Sequence, residues 1–261
     1  GQETELSIEQ RLTAFRAEHP DFRGLSFGTI AGYGAHGAIV HYEADEESNA
    51  PLAPRSFLLL DSGAHYVSGT TDITRTIPLG PLTDEERKAY TLVLKGHIAL
   101  ARARFPERTQ GLVLDFAARY AMWQEGMDFG HGTGHGVGSH LCVHEGPQQI
   151  RKNTNAASTT PFVAGMTITD EPGIYISGKF GVRLENVLLT REAMKTDFGR
   201  FLEFETLTLC PFDTTPIIVE MLDENERNWL NRYHESVREQ LLPLLSDEKD
   251  RAWLERATLP L

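Results

Sequence analysis

Four acidic side chains in this chain sit where acidic side chains are expensive. Asp61 ends the apolar run Phe57–Leu60, and Asp72 lies at the start of the β-branched segment TTDITRTI. Glu171 follows an apolar strand containing Met166 and Ile168, ahead of a Pro-Gly turn, and Glu185 lies inside FGVRLENV. A carboxylate placed among apolar strand residues is costly to bury unless it is paired or bound to a metal. Short strands must therefore carry these groups to water, to cationic partners, or to one another around a cation. Each has an ordinary reading too: Asp61 as a turn residue, Asp72 as a solvated strand residue, Glu185 as half of a buried salt bridge with Arg183.

The surrounding pattern is strand-rich in the middle and helical at both ends. Alternation predicts that Asp72, Thr74 and Thr76 share one face of their strand while Ile73 and Ile77 share the other. It likewise sets Arg183 and Glu185 opposite Val182, Leu184 and Asn186, and turns Asp170 away from Glu171. The strands ending in Asp61 and containing Asp72 read as a hairpin. Further strands are predicted for MTITDEPGIYI, FGVRLENVLLT and FLEFETLTL, and short strand material at Phe27, Ile30, Ile39 and Val40. Residues 43–54 read as a loop.

Helices are predicted from a Ser7/Gln10 capping box to Pro20, and from Thr83/Glu86 to about Arg104. Others run from about Leu112 to Gln124, from Asp223 to Leu245, and briefly around Ala252–Leu254. A β-rich middle flanked by helices indicates an α+β fold. At 261 residues one large domain suffices.

Residues 126–147 hold seven glycines and four of the ten histidines. His131, His135, His140 and His144 sit among glycines that permit close backbone approach. The segment is neither an HExxH zinc helix nor a GxGxxG dinucleotide loop. With the four carboxylates it makes an oxygen-rich set that suits Mn²⁺, Co²⁺, Fe²⁺ or Zn²⁺. A charge of about −4 without cations is prohibitive, and two dications cancel it.

A net charge of −12 argues against nucleic acid, which needs clustered Lys and Arg. Cys142 and Cys210 form no CxxC pattern, which predicts neither a disulfide framework nor a thiolate zinc site and fits a reducing compartment. The opening GQETELSIEQ carries no apolar signal segment, and no run of eighteen apolar residues is present to span a membrane. The chain opens on Gly1 rather than Met, as a processed or trimmed protein does.

In order along the chain, DSG with TTDITRT, HGTGHGVG with VHEGP, TDEPGIY and GVRLENV resemble the metal-dependent pita-bread peptidases. The resemblance is strongest to the aminopeptidase P (Xaa-Pro aminopeptidase) branch, runs from about Leu25 to Pro211, and extends into a tail like that of the larger, eukaryote-like form. It implies a curved antiparallel sheet flanked by helices, a single catalytic domain over residues 1–261 with a helical extension from about 212, and domains ahead of it in family members that are absent here.

It also implies two divalent ions, Mn²⁺ foremost, with Asp72 and Glu185 bridging them, Asp61 completing one site, and His135 with Glu171 the other. His41, His131 and His144 match accessory active-site histidines, Arg183 matches an arginine near Glu185, and His140 is incidental. The implied reaction is attack by a metal-activated hydroxide on the first peptide bond of a substrate with proline second. The substrate amine then lies near Asp72, His144 at the oxyanion, Glu171 as proton shuttle, and His41 and His131 around the proline. A cytoplasmic homodimer is implied as well. Prolidase shares the ligand set and is the alternative enzyme; metal-free binding modules of this fold, which lose ligand residues, are the alternative class.

Overall fold

The computed structural model describes residues 3–261; Gly1 and Gln2, which include the opening glycine noted above, lie outside the described residues. Helix α1 (Glu5–Ala17) leads into strands β1 (Phe22–Leu25) and β2 (Ile30–Tyr33), then β3 (Phe57–Ser62), β4 (Ala64–Tyr66), β5 (Gly69–Thr70) and β6 (Ile73–Pro78). Helix α2 (Asp84–Ala101), strand β7 (Arg104–Pro106) and helix α3 (Gly111–Gln124) follow. Strands β8 (Gly134–His135), β9 (Gln149–Ile150), β10 (Thr167–Asp170), β11 (Gly173–Ile176), β12 (Phe180–Arg183), β13 (Asn186–Thr196) and β14 (Gly199–Thr206) precede helices α4 (Glu224–Leu241) and α5 (Glu248–Ala257).

Every strand pair is antiparallel. β3 is central to the order β2-β3-β6, β13 and β14 join β10 to β7, and β11 pairs with β12. This is the α+β arrangement expected, with helices packed against antiparallel strands. Their apolar faces meet in two clusters. One gathers Phe57, Tyr90, Ile98, Leu184, Phe212 and Leu230 between α2, α4 and the strands. The other gathers Leu100, Phe105, Leu114, Ile168, Leu188 and Leu202 beneath α3.

Local signals explain most helix starts. Thr83 Oγ1 accepts from Glu86 N at 3.2 Å while Glu86 accepts from Thr83 N at 2.7 Å, a reciprocal cap that contributes about 1 kcal/mol. Asp223 and Glu226 cap α4 in the same way.

Several boundaries differ from expectation. α1 is capped one turn earlier, by Thr4 with Ser7 at the third helical position, because Thr4 already offers the hydroxyl that Ser7 was expected to supply. α2 stops at Ala101, and Arg104–Pro106 becomes an edge strand on β14. Ile39 and Val40 follow a 3₁₀ turn and join no strand. α4 ends at Leu241 in a 3₁₀ turn containing Pro243, and α5 is longer than expected. MTITDEPGIYI is two strands parted at Glu171–Pro172, and FGVRLENVLLT is two parted at Leu184–Glu185. No helix among the described residues is long and apolar enough to cross a membrane.

Candidate metal centre

Four of the five candidate ligands sit at a strand end or a strand break, and Asp61 lies inside a strand. Asp61 is inside β3 rather than at its stop, paired with Thr74 of β6. Asp72 lies one residue before β6, after a small β4–β5 hairpin rather than the simple turn expected, and is 4% exposed, so it is not a solvated strand residue. Glu171 leaves the end of β10, and Glu185 occupies the break between β12 and β13 with its N–H donating to the Thr74 carbonyl at 3.1 Å. His135 is delivered by β8, which packs so closely on β10 that a Cβ at Gly134 would overlap the Thr169 carbonyl oxygen. A glycine is required there because no side chain fits.

These five residues line one cleft of about 500 Å³, together with His41, His131, His144 and Arg183. Asp72, His135 and Glu185 each offer a ligand atom within 4.8 Å of the others. His135 Nε2 lies 3.4 Å from both Asp72 Oδ2 and Glu171 Oε1. Its Nδ1 is 3.0 Å from the Gly136 carbonyl, which assigns the proton to Nδ1 and leaves Nε2 facing the carboxylates.

The electrostatics describe a cluster lacking positive charge. Burial, then the neighbouring Asp72 and Glu171, push the Glu185 carboxyl well above its usual range. Burial likewise raises Asp72 against the pull of His135, and lifts Glu171 to about 7. Burial opposes a charged His135, but Asp72 and Glu171 outweigh it and hold the ring up at about 9. Asp61 Oδ1 is buried without a hydrogen-bond partner. Clustered carboxylates that resist ionisation, an orphaned carboxylate oxygen and an imidazole nitrogen aimed among them fit two divalent cations.

Arg183 does not pair with Glu185. Its Nη2 donates to Asp61 Oδ2 at 2.7 Å and its Nη1 to the Tyr175 hydroxyl at 2.8 Å, while Glu185 Oε2 accepts from Thr74 Oγ1 at 2.7 Å. Tyr175 in turn lies 2.7 Å from His131 Nε2, and His131 Nδ1 is 2.7 Å from the Gly132 carbonyl. Burial keeps His131 neutral, down at about 4. His144 stands edge-on to His135 with ring centroids 4.3 Å apart; burial, with His135 and His41, lowers it from the usual histidine value. His140 lies outside the cleft, against the Tyr66 carbonyl and the His65 ring.

Sequence reasoning missed the residues that hold this set in place. Thr169 Oγ1 accepts from His135 N at 2.9 Å and donates to Glu171 Oε1 at 3.1 Å. Arg119, fully buried in α3, donates to Asp115, to Asp128 and to the Phe129 and His131 carbonyls, which pins the glycine-rich segment. Arg75 donates to the carbonyls of Glu185, Cys210 and Pro211 and to Asn186 Oδ1. The Arg75 contacts and the one between Thr169 and His135 join segments remote in sequence, and only a buried arginine or threonine in a strand or helix would have hinted at them.

Antiparallel strands that converge carboxylates and one imidazole on an open cleft make a candidate metal centre on a pita-bread fold. The chain belongs to metallopeptidase family M24: that family's model matches residues 2–192, and the model of the C-terminal region of peptidase M24 matches residues 200–261.

Among curated relatives it is 48% identical to aminopeptidase P1 of Lotus japonicus, over 98% of this chain and 39% of the relative. It is 44% identical to Xaa-Pro aminopeptidase 1 of Dictyostelium discoideum, over 99% of this chain and 42% of that one. The chain thus spans about two fifths of the length of these relatives. Among solved structures it is similar to X-prolyl aminopeptidase from Caenorhabditis elegans, described as a cytosolic enzyme with a di-nuclear active site. The TM-score is 0.94 at 40% identity, covering 100% of this chain and 43% of that one. Prolidase from Pyrococcus furiosus gives a TM-score of 0.64 at 29% identity, over 72% of this chain and 53% of that one.

Proposed function

We propose that this chain is the catalytic part of an Xaa-Pro aminopeptidase, which releases the first residue from peptides with proline at the second position. The observation that carries the reading is the single cleft in which the five candidate ligands meet His41, His131, His144 and Arg183. Kinship supports the substrate class, since the C-terminal region matches as well as the family core, and the likeness to the X-prolyl aminopeptidase extends over the whole chain where that to the prolidase does not.

Two ions, Mn²⁺ first among the candidates, would be held by Asp61, Asp72, His135, Glu171 and Glu185, and when bound supply Lewis acidity and an acidified water. Asp72, at the wall of the cleft, receives the substrate's free amine and so counts from the N-terminus. Neutral His144, at the open edge beside His135, donates to the oxygen that gains charge as the carbonyl is attacked. Glu171 carries the proton to the leaving nitrogen. That nitrogen belongs to proline and has no N–H of its own, so its protonation forms a large part of the barrier. His41 and His131 flank the proline ring. Arg183 keeps Asp61 and Tyr175 in place.

The 1–261 segment acts as one catalytic domain with residues 212–261 as its helical extension. A homodimer is supported by an exposed apolar stripe on α3, where Val113, Phe116, Tyr120 and Trp123 are 64, 52, 53 and 38% exposed. A cytoplasmic location is supported by the free thiols of Cys142 and Cys210.

The test incubates the Mn²⁺-loaded chain with Xaa-Pro-Xaa and Xaa-Pro peptides. Release of the first residue from the tripeptide is expected. Cleavage of the dipeptide alone would make it a prolidase, and absence of both metal binding and metal-dependent stabilisation would make it a binding module.

A further inference from the structure

Glu5, in the first turn of α1, is the only buried residue of that helix among the described residues, with none of its side chain exposed. Its carboxylate accepts from Tyr33 N at 2.7 Å, Ala50 N at 2.8 Å and the Tyr42 hydroxyl at 2.9 Å, and lies 2.9 and 3.2 Å from His36 Nδ1. The His36 ring stacks on Tyr42 with centroids 4.5 Å apart. Around it, Glu5 N donates to the Ala50 carbonyl, Leu6 N to Asn49 Oδ1, and Leu52 N to the Glu3 carbonyl.

These partners bracket residues 39–50, a stretch with neither helix nor strand. The same stretch places Val40, His41 and Glu43 in the wall of the catalytic cleft. Its own internal order is two short turns: Tyr42 N donates to the Ile39 carbonyl at 3.1 Å, and Asp45 Oδ1 accepts from Glu47 N and Ser48 N. Burying a carboxylate at the foot of a helix is costly unless several donors converge on it, and here they come from Tyr33 and His36 ahead of the loop, Tyr42 within it and Ala50 at its end.

We infer that Glu5 is a positioning residue: it clamps residues 33–50 so that His41 stands over the substrate's proline. The inference rests on the proposed Xaa-Pro aminopeptidase reading of the cleft. Glu5 touches neither substrate nor metal ligand and acts through the loop. Releasing the clamp lowers the fraction of molecules with His41 in place, and apparent affinity falls in proportion to that fraction. A loop competent in one molecule in ten raises KM about tenfold and leaves the chemistry of the bound complex unchanged.

The test uses the Mn²⁺-loaded chain with Glu5→Gln, which keeps the volume but turns a donor toward donors, and the milder Tyr42→Phe, which removes one contact from a folded protein. KM for an Xaa-Pro-Xaa peptide is expected to rise about tenfold in Glu5→Gln and about threefold in Tyr42→Phe, with kcat within about threefold of the parent. Because Glu5 acts through His41, the double variant Glu5→Gln/His41→Ala is expected to match His41→Ala alone. Additive effects, or a fall in kcat at constant KM, overturn the inference.

Amide hydrogen exchange over residues 39–50 decides the clamp independently of activity. Protection is expected to fall in both variants, and unchanged protection overturns the clamp. A parent chain that cleaves no peptide refutes the functional reading while the exchange result still decides the clamp.

Discussion

Replacing Arg75 by methionine should loosen the strands that carry the candidate ligands from the 210–212 segment packed on them. Arg75 is 8% exposed, with its guanidinium 4.0 Å from the Phe212 ring centroid. It donates to the Glu185 carbonyl at 2.6 Å, the Pro211 carbonyl at 3.2 Å, Asn186 Oδ1 at 2.8 Å, and the Cys210 and Thr74 carbonyls at 2.6 and 2.9 Å. Three of these acceptors keep other donors: Cys210 keeps the Tyr233 hydroxyl, Thr74 keeps Glu185 N, and Pro211 keeps the Cys210 thiol. Methionine fills the space but strands the Glu185 carbonyl and Asn186 Oδ1, at about 1–3 kcal/mol each. Removing one member of a buried, hydrogen-bonded charged set costs about 3–5 kcal/mol net of the relief of no longer burying the cation, which for a chain of this size lowers Tm by roughly 10 °C. Lysine, with a compact ammonium in place of the planar fork, restores only part of it. Thermal unfolding by circular dichroism measures the shift. A Tm within about 2 °C of the parent in Arg75→Met would refute the claim that this arginine ties β6 and Glu185 to the 210–212 segment.

Other outcomes follow from the same physics. Alanine at His135 or Glu185 should abolish both metal loading, read by elemental analysis, and peptide cleavage; full activity in either variant sinks the proposed centre. The metal-free chain should lose stability as pH rises: Glu171, raised to about 7, and His135, raised to about 9, contribute most below their unfolded pKa values and lose that contribution as pH climbs through the folded ones. Stabilisation by Mn²⁺ should therefore be larger at pH 8 than at pH 6, and a pH-independent metal shift in Tm would contradict it.

On the acid side, burial followed by the charge of Arg75 lowers His97 to about 3 and His234 to about 4. The unfolded chain then binds more protons below about pH 6.5, and stability falls by about 1.4 kcal/mol per pH unit for each ring. His234 Nε2 accepts from Phe212 N at 3.1 Å; His234→Gln preserves that acceptor and should flatten the acid limb of a Tm-against-pH curve. Phe116→Glu should halve the apparent mass in sedimentation if α3 forms the dimer face, and an unchanged mass would rule that face out.

Much of the site could be read from residue type and position, because its chemistry is unusual locally. A carboxylate at the end of an apolar run announces itself, as Asp61, Glu171 and Glu185 do. So does a glycine-flanked imidazole, although four histidines competed and spacing alone did not separate His135 from His140. The helix starts at Thr83 and Asp223 were equally legible, since a capping box closes within four residues. What stayed hidden depends on contacts across the chain. Arg75 and Asn186 are 111 residues apart, Arg183 and Asp61 are 122 apart, and no periodicity encodes such a pairing. Residue pattern offered Glu185 as a partner for Arg183; the strand break after Arg183 instead turns Glu185 onto Thr74.

That division has a consequence for how the centre tolerates change. The candidate ligands supply charge, but their placement is set by neutral or cationic neighbours: Thr74 on Glu185, Thr169 on His135 and Glu171, Arg183 on Asp61. Without cations the carboxylates repel one another, so these few hydrogen bonds hold the cluster together against its own field. With cations bound, the field becomes attractive and the same bonds select one orientation for each carboxylate. Substituting Thr74 by valine should therefore cost little stability in the loaded chain and more in the metal-free one, while metal affinity falls about 10–100-fold. Titration of Mn²⁺ by calorimetry on Thr74→Val separates the two contributions. Unchanged affinity would show that the ions, and not the threonine, set the orientation of Glu185.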